Sequence, residues 1–403
     1  MNKAESERLG SLFRCRGYRE VDRAEDADLI LLNSCVVRRG AEDKVLNKIH
    51  SLKSLKKENR GVEIAVTGCL AGRKEIIGLK KSFPFVDYFF GPGEFPHWLG
   101  EQAKPQLPTI ASPSMMVPII QGCNNFCTYC IVPYRRGKEV SRPLAEIVVE
   151  VKELVTRGAK EVILLGQNVD SYGHDLMPFH ELADLLEELD NIEGLYRIRF
   201  LTNHPKDLSS RLIDAIASLS KVCEQLSLPV QSGDDTILNA MGRGYSVARY
   251  RELVANIRAR IPAIALSTDV IVGFPGESEE QFMETYALLK ELRFDKAHIA
   301  AYSPRKGTAA AALEDDVALV EKKRRLSMLE ELEKCIATAI NTTLKGKEVE
   351  ILVEGKNRDK WQGRSRSDKL VFTKSAANLY GKLANIKITE TSPWSLRGQV
   401  LVK

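Results

Sequence analysis

Apolar residues gather in two short, unalternating runs near the start of the chain, ADLILLNS (27–34) and VEIAVTG (62–68), each bounded by turn-forming residues. That pattern predicts strands covered on both faces, as in a parallel sheet, and the helical spacing of AEDKVLNKIHSLKSLKKE (41–58) between them completes a small βα-type domain. Further strand-like runs follow at MVPII (116–120), EVILLG (161–166), YRIRFLT (196–202), QLSLPV (225–230), LSTDVIVG (266–273) and AHIAAYS (297–303), with helix-patterned stretches such as LAEIVVEVKELVTRG (144–158) between them. Six strands at intervals of about 30–45 residues predict successive βαβ units that close into a barrel or part of one. In a parallel barrel the residues just after each strand share one face, where active sites sit. Polar residues and glycines gather at those places: Cys123 to Cys130, Gln167 and Asn168, Asn203 and His204, Gln231 and Ser232, Gly273 to Glu277, Ser303 and Arg305. A helical pattern over 320–340 then leads into short alternating runs (EVEILVEG, KLVFTK, KLANIKIT, RGQVLV), the signature of a small antiparallel barrel.

Composition adds bounds. A chain of 403 residues, 44% hydrophobic and 28% charged, has the profile of an ordinary multidomain protein. The stretch 102–118 carries four prolines among Ser and Thr and reads as a linker, so the expected division is 1–101, a linker at 102–115, a barrel over 116–340 and a terminal barrel over 341–403. No apolar run approaches the roughly 18 residues that cross a bilayer, and the opening MNKAESERLGSL lacks a secretory signal, so a cytoplasmic protein with no membrane contact is expected. The net charge of +5 is uneven: residues 341–403 hold 13 Lys+Arg and 6 Asp+Glu, a net +7, which leaves −2 for the rest. With Trp361, Phe372, Tyr380 and Trp394 among them, these basic residues suit a polyanion-binding module, although a solvated basic face is the plainer alternative.

Eight cysteines are too sparse for a disulfide scaffold, which favours reduced thiols or metal ligands. Cys123, Cys127 and Cys130 follow the first barrel strand; at this chain's cysteine frequency of about 2%, that spacing arises by chance roughly 0.003 times in such a length. Three thiolates can hold three irons of a [4Fe–4S] cluster and leave the fourth iron open. Structural zinc fits less well, because it wants four ligands and no adjacent Cys or His completes the set. Cys35 and Cys69 each end a strand of the first domain, while Cys15, Cys223 and Cys335 carry no motif and read as packing residues. His50, His97, His174, His180 and His298 lack ligand spacing and read as structural or surface residues; His204 ends a barrel strand. Taken singly, Gln167, Asn168, Gln231 and Ser232 are equally loop-capping groups, GFPGES is a turn, and Arg135 and Arg136 are solvated charge.

The segment GCNNFCTYCIVPYRRGKEVSRP (122–143) resembles the methylthiotransferase family of radical S-adenosylmethionine (SAM) enzymes. Collinear with it are LLGQNVDSYG (164–173), FLTNHP (200–205), LPVQSG (228–233), DVIVGFPGE (269–277), YSPRKGT (302–308) and SLRGQV (395–400), which together span nearly the whole chain. The resemblance implies a flavodoxin-like N-terminal domain, a partial (β/α)6 radical SAM barrel and a small C-terminal TRAM barrel that grips RNA. It also implies that a cluster on Cys123, Cys127 and Cys130 splits SAM into methionine and a 5′-deoxyadenosyl radical, with Gln167, Asn168, Gln231, Ser232, Gly273, Gly276 and Glu277 among the SAM contacts. Cys35 and Cys69 match the motifs of a second, auxiliary [4Fe–4S] cluster that supplies or carries sulfur, and the segment with Arg135 and Arg136 is placed by the resemblance near the substrate or a cluster. The family's third auxiliary cysteine precedes the stretch that MNKAESERL resembles, so an upstream true start is expected; as written, the chain should form the radical normally but methylthiolate weakly. The resemblance further implies a tRNA partner, a flavodoxin- or ferredoxin-like electron donor and a monomer. Within the family the match is best to the branch that adds a methylthio group to C2 of N6-isopentenyladenosine beside the anticodon. Sister enzymes act on threonylcarbamoyladenosine in tRNA or on an aspartate of a ribosomal protein, and a non-catalytic iron–sulfur or zinc protein that binds RNA is the alternative from another class.

Overall fold

A computed structural model describes residues 1–36, 39–72, 74–96, 98 and 107–401. By contact pattern the chain divides into two units: Met1–Thr109, Gln121–Glu139 and Ser303–Ala311 form the first, and Ile110–Ile120, Val140–Tyr302 and Ala312–Lys403 the second. Residues 102–106 of the expected linker, and His97, lie outside the described residues.

In the first unit, helix α1 (Asn2–Cys15) precedes strand β1 (Leu29–Ser34), helix α2 (Arg39–Glu58), strand β2 (Glu63–Gly68), helix α3 (Ile76–Ser82) and strand β3 (Tyr88–Phe89). The strands form a parallel sheet in the order β1-β2-β3, with β1 and β2 in register from Leu29↔Glu63 to Ser34↔Gly68. Alternation along β2 explains its unbroken apolar run: Ile64 and Val66 pack with Ile49, Leu52 and Phe83 on one face, while Ala65 packs with Leu9, Leu12 and Phe90 on the other. The cysteine loop also belongs to this unit; it carries the short helix α4 (Val132–Arg136) and lies in sequence between the two-residue strands β5 (Ile120–Gln121) and β6 (Val140–Ser141).

The second unit holds the six expected parallel strands: β4 (Ser114–Pro118), β7 (Glu161–Leu165), β8 (Arg197–Leu201), β9 (Gln225–Ser227), β10 (Ala265–Val272) and β11 (Lys296–Ala301). They pair as β4-β7-β8 and β11-β10-β9, and one parallel bridge, Ile198 to Val222, links β8 to the segment entering β9. Crossover helices α5 (Leu144–Thr156), α6 (Leu182–Asp190), α7 (Ser210–Ser218), α8 (Asp235–Ala240), α9 (Val247–Arg260) and α10 (Glu279–Leu292) pack between successive strands in sequence. Ile147, Val151 and Leu154, at helical spacing, form the buried seam of α5. Ser209, Asp234, Ser246 and Ser278 cap helix N-termini by accepting from backbone N–H groups.

Helix α11 (Leu319–Thr342) leads to strands β12 (Glu348–Asn357), β13 (Lys360–Ser365), β14 (Leu370–Lys374), β15 (Leu383–Thr391) and β16 (Leu396–Val400). These close into a barrel in the order β12-β13-β14-β16-β15 around Ile351, Val353, Trp361, Val371 and Ile386. The pairing is antiparallel except between β14 and β16, which run parallel. Among the described residues, no helix is long and apolar enough to cross a membrane.

The terminal barrel docks through its β13–β14 turn. Arg199, buried on β8, donates to Glu161 Oε2 at 2.9 Å and to the carbonyls of Arg366 (2.8 Å) and Ser365 (2.5 Å). Arg197 donates to the Arg364 carbonyl at 2.7 Å, Arg366 clasps both carboxylate oxygens of Glu224 at 2.8 Å, and Lys369 pairs with Asp295 at 2.7 Å. Part of the basic excess of the tail is therefore committed to acidic groups at the N-terminal ends of the barrel strands. Trp361, expected among the RNA-facing aromatics, is a core residue, whereas Tyr380 and Trp394 are exposed.

Candidate active site

In the first unit, the cysteine loop is pinched at its base. Gly122 has φ +84°, and a Cβ there would lie 1.9 Å from the Lys138 carbonyl oxygen, so only glycine allows the two backbones to cross. Cys123 N–H donates to the Gly137 carbonyl at 3.2 Å, and Asn124 and Glu139 exchange three hydrogen bonds across the neck. Cys130 N–H donates to the Cys127 carbonyl at 2.9 Å, closing a turn around Cys127. Cys127 is buried and Cys123 and Cys130 are half-buried.

Cys35 and Cys69 directly follow the paired ends of β1 and β2, so the parallel register brings them to the same edge of the sheet. Cys69 is buried, and burial raises its thiol pKa, opposed by the nearby Arg136 guanidinium and assisted by Cys35. Arg136 is 7% exposed, which sets aside the reading as solvated charge and leaves the reading by resemblance, because α4 turns it inward. Its Nε donates to Cys69 Sγ at 3.3 Å, Nη1 to Glu5 at 2.7 Å and Nη2 to Asn2 Oδ1 at 2.9 Å. Arg135 pairs with Glu75. Cys15 sits exposed at the end of α1.

In the second unit, the parallel strands bring the expected polar loops to their C-terminal ends. Asn168 is buried; its Nδ2 donates to Ser171 Oγ at 2.6 Å and Asp207 at 2.7 Å, and its Oδ1 has no partner. Asp170 is buried between loops and accepts from Asn203 Nδ2 at 2.5 Å and His204 N–H at 2.8 Å. Burial raises its carboxyl pKa to about 7 despite these donors. His204 accepts at Nδ1 from Lys206 N–H at 3.2 Å, which leaves its proton on Nε2. Desolvation first, and then the Arg243 charge, push its pKa down to about 3, so the ring is neutral. His204 Nε2 and Asn203 Oδ1 are buried without partners. Three such atoms on adjacent loops, each costing about 1–3 kcal/mol if left unpaired, mark the strand tips as a binding region.

Other expected SAM contacts also make bonds within the protein. Ser232 is fully buried with its hydroxyl against Thr285 Oγ1 at 3.4 Å, and Gln231 bridges backbone to Asp269 and Ile271. Gly276 N–H donates to Asp316 at 2.7 Å. Glu277 accepts from Gly273 N–H at 2.5 Å and from Arg325 at 2.8 Å, and burial raises its pKa against both. Gly273, at φ +67°, lies so close to Lys322 that a Cβ would sit 2.4 Å from Lys322 Cγ. The GFPGES loop is thus clamped onto α11. Gln167 is half-buried. The sequence reading missed Asp170; the only signal for it was its place two residues beyond Asn168.

Among the described residues, no three His, Cys, Asp or Glu side chains form a metal-holding group. The donor chemistry nonetheless fits an iron–sulfur cluster: three thiols sit on one pinched loop.

Family models match along the chain in the same order: the uncharacterized protein family UPF0004 over residues 1–91, the Radical SAM superfamily over 117–289 and the TRAM domain over 342–401. The solved cobalamin-dependent S-adenosylmethionine radical enzyme OxsB aligns at TM-score 0.50 and 12% identity, over 82% of this chain and 53% of OxsB, a likeness of fold alone. Fold and cysteine loop together define a radical SAM enzyme with an appended TRAM barrel, and its membership of that class implies SAM and [4Fe–4S] clusters as cofactors. A tRNA-2-methylthio-N(6)-dimethylallyladenosine synthase from Dehalococcoides mccartyi is 57% identical over 402 residues, covering 100% of this chain and 96% of the relative. One from Herpetosiphon aurantiacus is 47% identical, covering 100% and 95%. The chain belongs to this family of radical SAM tRNA methylthiotransferases.

Proposed function

We propose that the protein converts N6-dimethylallyladenosine, on the 3′ side of the tRNA anticodon, to its 2-methylthio derivative. The observation that carries this reading is the end-to-end match to synthases of that name, through all three parts of the chain. Cys123, Cys127 and Cys130 would hold one cluster, and Cys35 and Cys69 would be ligands of a second. Clusters and SAM supply one-electron chemistry, which suits C2 of adenine because its hydrogen is aromatic and not acidic enough for a base. The chain's own residues do the rest. Arg136 places a positive charge against Cys69 and so favours its thiolate form. His204 offers a neutral Nε2–H and Asn168 and Asn203 offer amide oxygens at the strand tips, where Gln167 and Gln231 complete the SAM-facing loops. Ser232, Gly273, Gly276 and Glu277 hold those loops in shape. The working divisions are 1–101, 102–115, 116–340 and 341–403. The enzyme works as a monomer in the cytoplasm and takes electrons from a flavodoxin- or ferredoxin-like donor.

Anaerobic incubation of the iron- and sulfide-reconstituted protein with SAM, dithionite and dimethylallyl-bearing tRNA tests this. Formation of 5′-deoxyadenosine together with a slow yield of the 2-methylthio nucleoside is expected; methylthiolation of a different nucleoside, with dimethylallyladenosine unchanged, would refute the substrate.

A further inference from the structure

Helix α11 turns one stripe inward within the second unit, formed by Lys322, Arg325, Leu329, Ile336 and Ala337. Helical spacing calls for apolar side chains along such a stripe, yet its first two positions are cations, 3% and 4% exposed. A buried charge is costly unless it is paired and hydrogen-bonded, so the partners of these two identify the element they hold. Both meet the loop that follows β10. Arg325 Nη1 donates to the Glu277 carbonyl at 2.9 Å and to Glu277 Oε2 at 2.8 Å, while its Nε reaches Glu321 at 2.7 Å. The guanidinium also lies 5.3 Å from the centre of the Phe282 ring. Lys322 lays its stem against Gly273, pairs with Asp315, and places its ammonium 5.2 Å from the centre of the Tyr302 ring.

The loop does not hold its shape by its own sequence. Gly273 and Gly276, at φ +67° and +81°, give it conformational freedom rather than rigidity. Its fixed points are charges brought from α11 and the segment before it: Asp316 takes the Gly276 N–H at 2.7 Å, and Glu277 Oε2 closes the turn on the Gly273 N–H at 2.5 Å. The Glu277 side chain is 1% exposed, so it acts on a cofactor only through the loop it shapes. Without the guanidinium its carboxylate is a lone buried charge, and it relieves that strain by leaving the turn. We propose that Arg325 is a positioning residue for SAM: through Glu277 it fixes the Gly273–Glu277 loop in the shape that binds the cofactor, and Lys322 backs the same loop at Gly273. The inference rests on the reading above in which this loop faces SAM.

The test measures the Kd for SAM of the full-length reconstituted protein by anaerobic equilibrium dialysis without reductant, so that the cofactor is bound and not cleaved. The rate of 5′-deoxyadenosine formation with dithionite at saturating SAM is measured beside it. R325M should raise the Kd about tenfold and leave the rate at saturating SAM within about twofold of wild type, the split expected when binding is lost and chemistry is kept. R325K keeps the charge and one donor for Glu277, and should raise the Kd about three- to fivefold. R325M combined with E277Q should bind within about twofold of wild type, because no charge is stranded and the amide oxygen still accepts from Gly273 N–H. A role in stability alone would lower the melting temperature of R325M and leave its Kd unchanged. That result, a double variant as weak as R325M, or a rate lost at saturating SAM with Kd intact would each overturn the proposal; if R325M does not fold, R325K binding as wild type does the same. G273A, whose Cβ would meet the Lys322 stem, separates this failure from that of the underlying reading. A raised Kd in G273A but not in R325M means that the loop faces SAM and Arg325 does not position it. An unchanged Kd in both means that the loop does not face SAM.

Discussion

Replacing Arg199 with alanine should loosen the terminal barrel from the catalytic barrel. The guanidinium and the Glu161 carboxylate are 2% and 1% exposed, so water screens neither. Removing Arg199 strips Glu161 of its cation and leaves it with Ser114 Oγ at 2.8 Å, and it also frees the carbonyls of Ser365 and Arg366. Breaking one side of a buried ion pair typically costs about 3–5 kcal/mol, because the remaining charge is stranded away from water. Removing both charges is different: R199M combined with E161Q should recover most of that loss, since the desolvation cost disappears with the pair. A protein of several parts need not unfold in one step, so a single midpoint is a poor readout. Hydrogen exchange of the amides in the 364–369 turn reports the local opening directly. The expected result is a rise in exchange in R199A equivalent to several kcal/mol, with the double variant returned most of the way. A cost in R199A below about 1 kcal/mol, or a double variant as damaged as the single, would refute the view that this pair locks the turn.

Other expectations are independent of that lock. Substituting any one of Cys123, Cys127 or Cys130 by alanine should abolish 5′-deoxyadenosine formation while far-ultraviolet circular dichroism stays unchanged; retained turnover would sink their assignment as cluster ligands. The pH response of the strand-tip cluster has two opposed parts. Burial raises the Asp170 pKa to about 7, so its contribution to stability is full below its unfolded value and is lost as pH rises through 7. The His204 pKa is depressed to about 3, so its contribution is present above about 6.5 and is lost as pH falls towards 3. D170N should therefore abolish the fall in stability with rising pH between about 4 and 7 and leave the acid-side loss from His204 in place, as thermal melts across pH would show. RNA affinity should fall with salt with a slope of about −0.7 per phosphate contact, and neutralising Arg366 should leave that slope unchanged because Glu224 already holds it; a slope that drops with R366M would mean the residue faces RNA.

How much of this was legible in the sequence depended on whether the cause was local. The unalternating runs at 27–34 and 62–68 anticipate a sheet buried on two faces, and β2 is that strand because Ile64 and Val66 face one layer and Ala65 the other. Six parallel strands were readable from periodicity, and so was the placing of polar loops at their ends, because chain direction alone puts those loops on one face. The spacing of Cys123, Cys127 and Cys130 was legible for the same reason: one short loop contains all three.

What the sequence could not reveal were partnerships between residues far apart in it. Arg136, taken singly, read as solvated charge, and by resemblance as lying near the substrate or a cluster; its actual partner, Cys69, is 67 positions away. Glu277 read as a SAM contact, and in the fold its carboxylate is tied to Arg325, 48 residues on. The +7 of the last segment suited a polyanion-binding module or a solvated basic face, but Arg366 and Lys369 face Glu224 and Asp295 across a docking surface no composition can show. The physical reason is common to all three. Periodicity and spacing follow from backbone geometry within a few residues, so the sequence by itself determines strands, helices and ligand loops. Whether a charged side chain meets water, a carboxylate or a sulfur is decided only when distant segments pack, and burial then sets both its partner and its pKa.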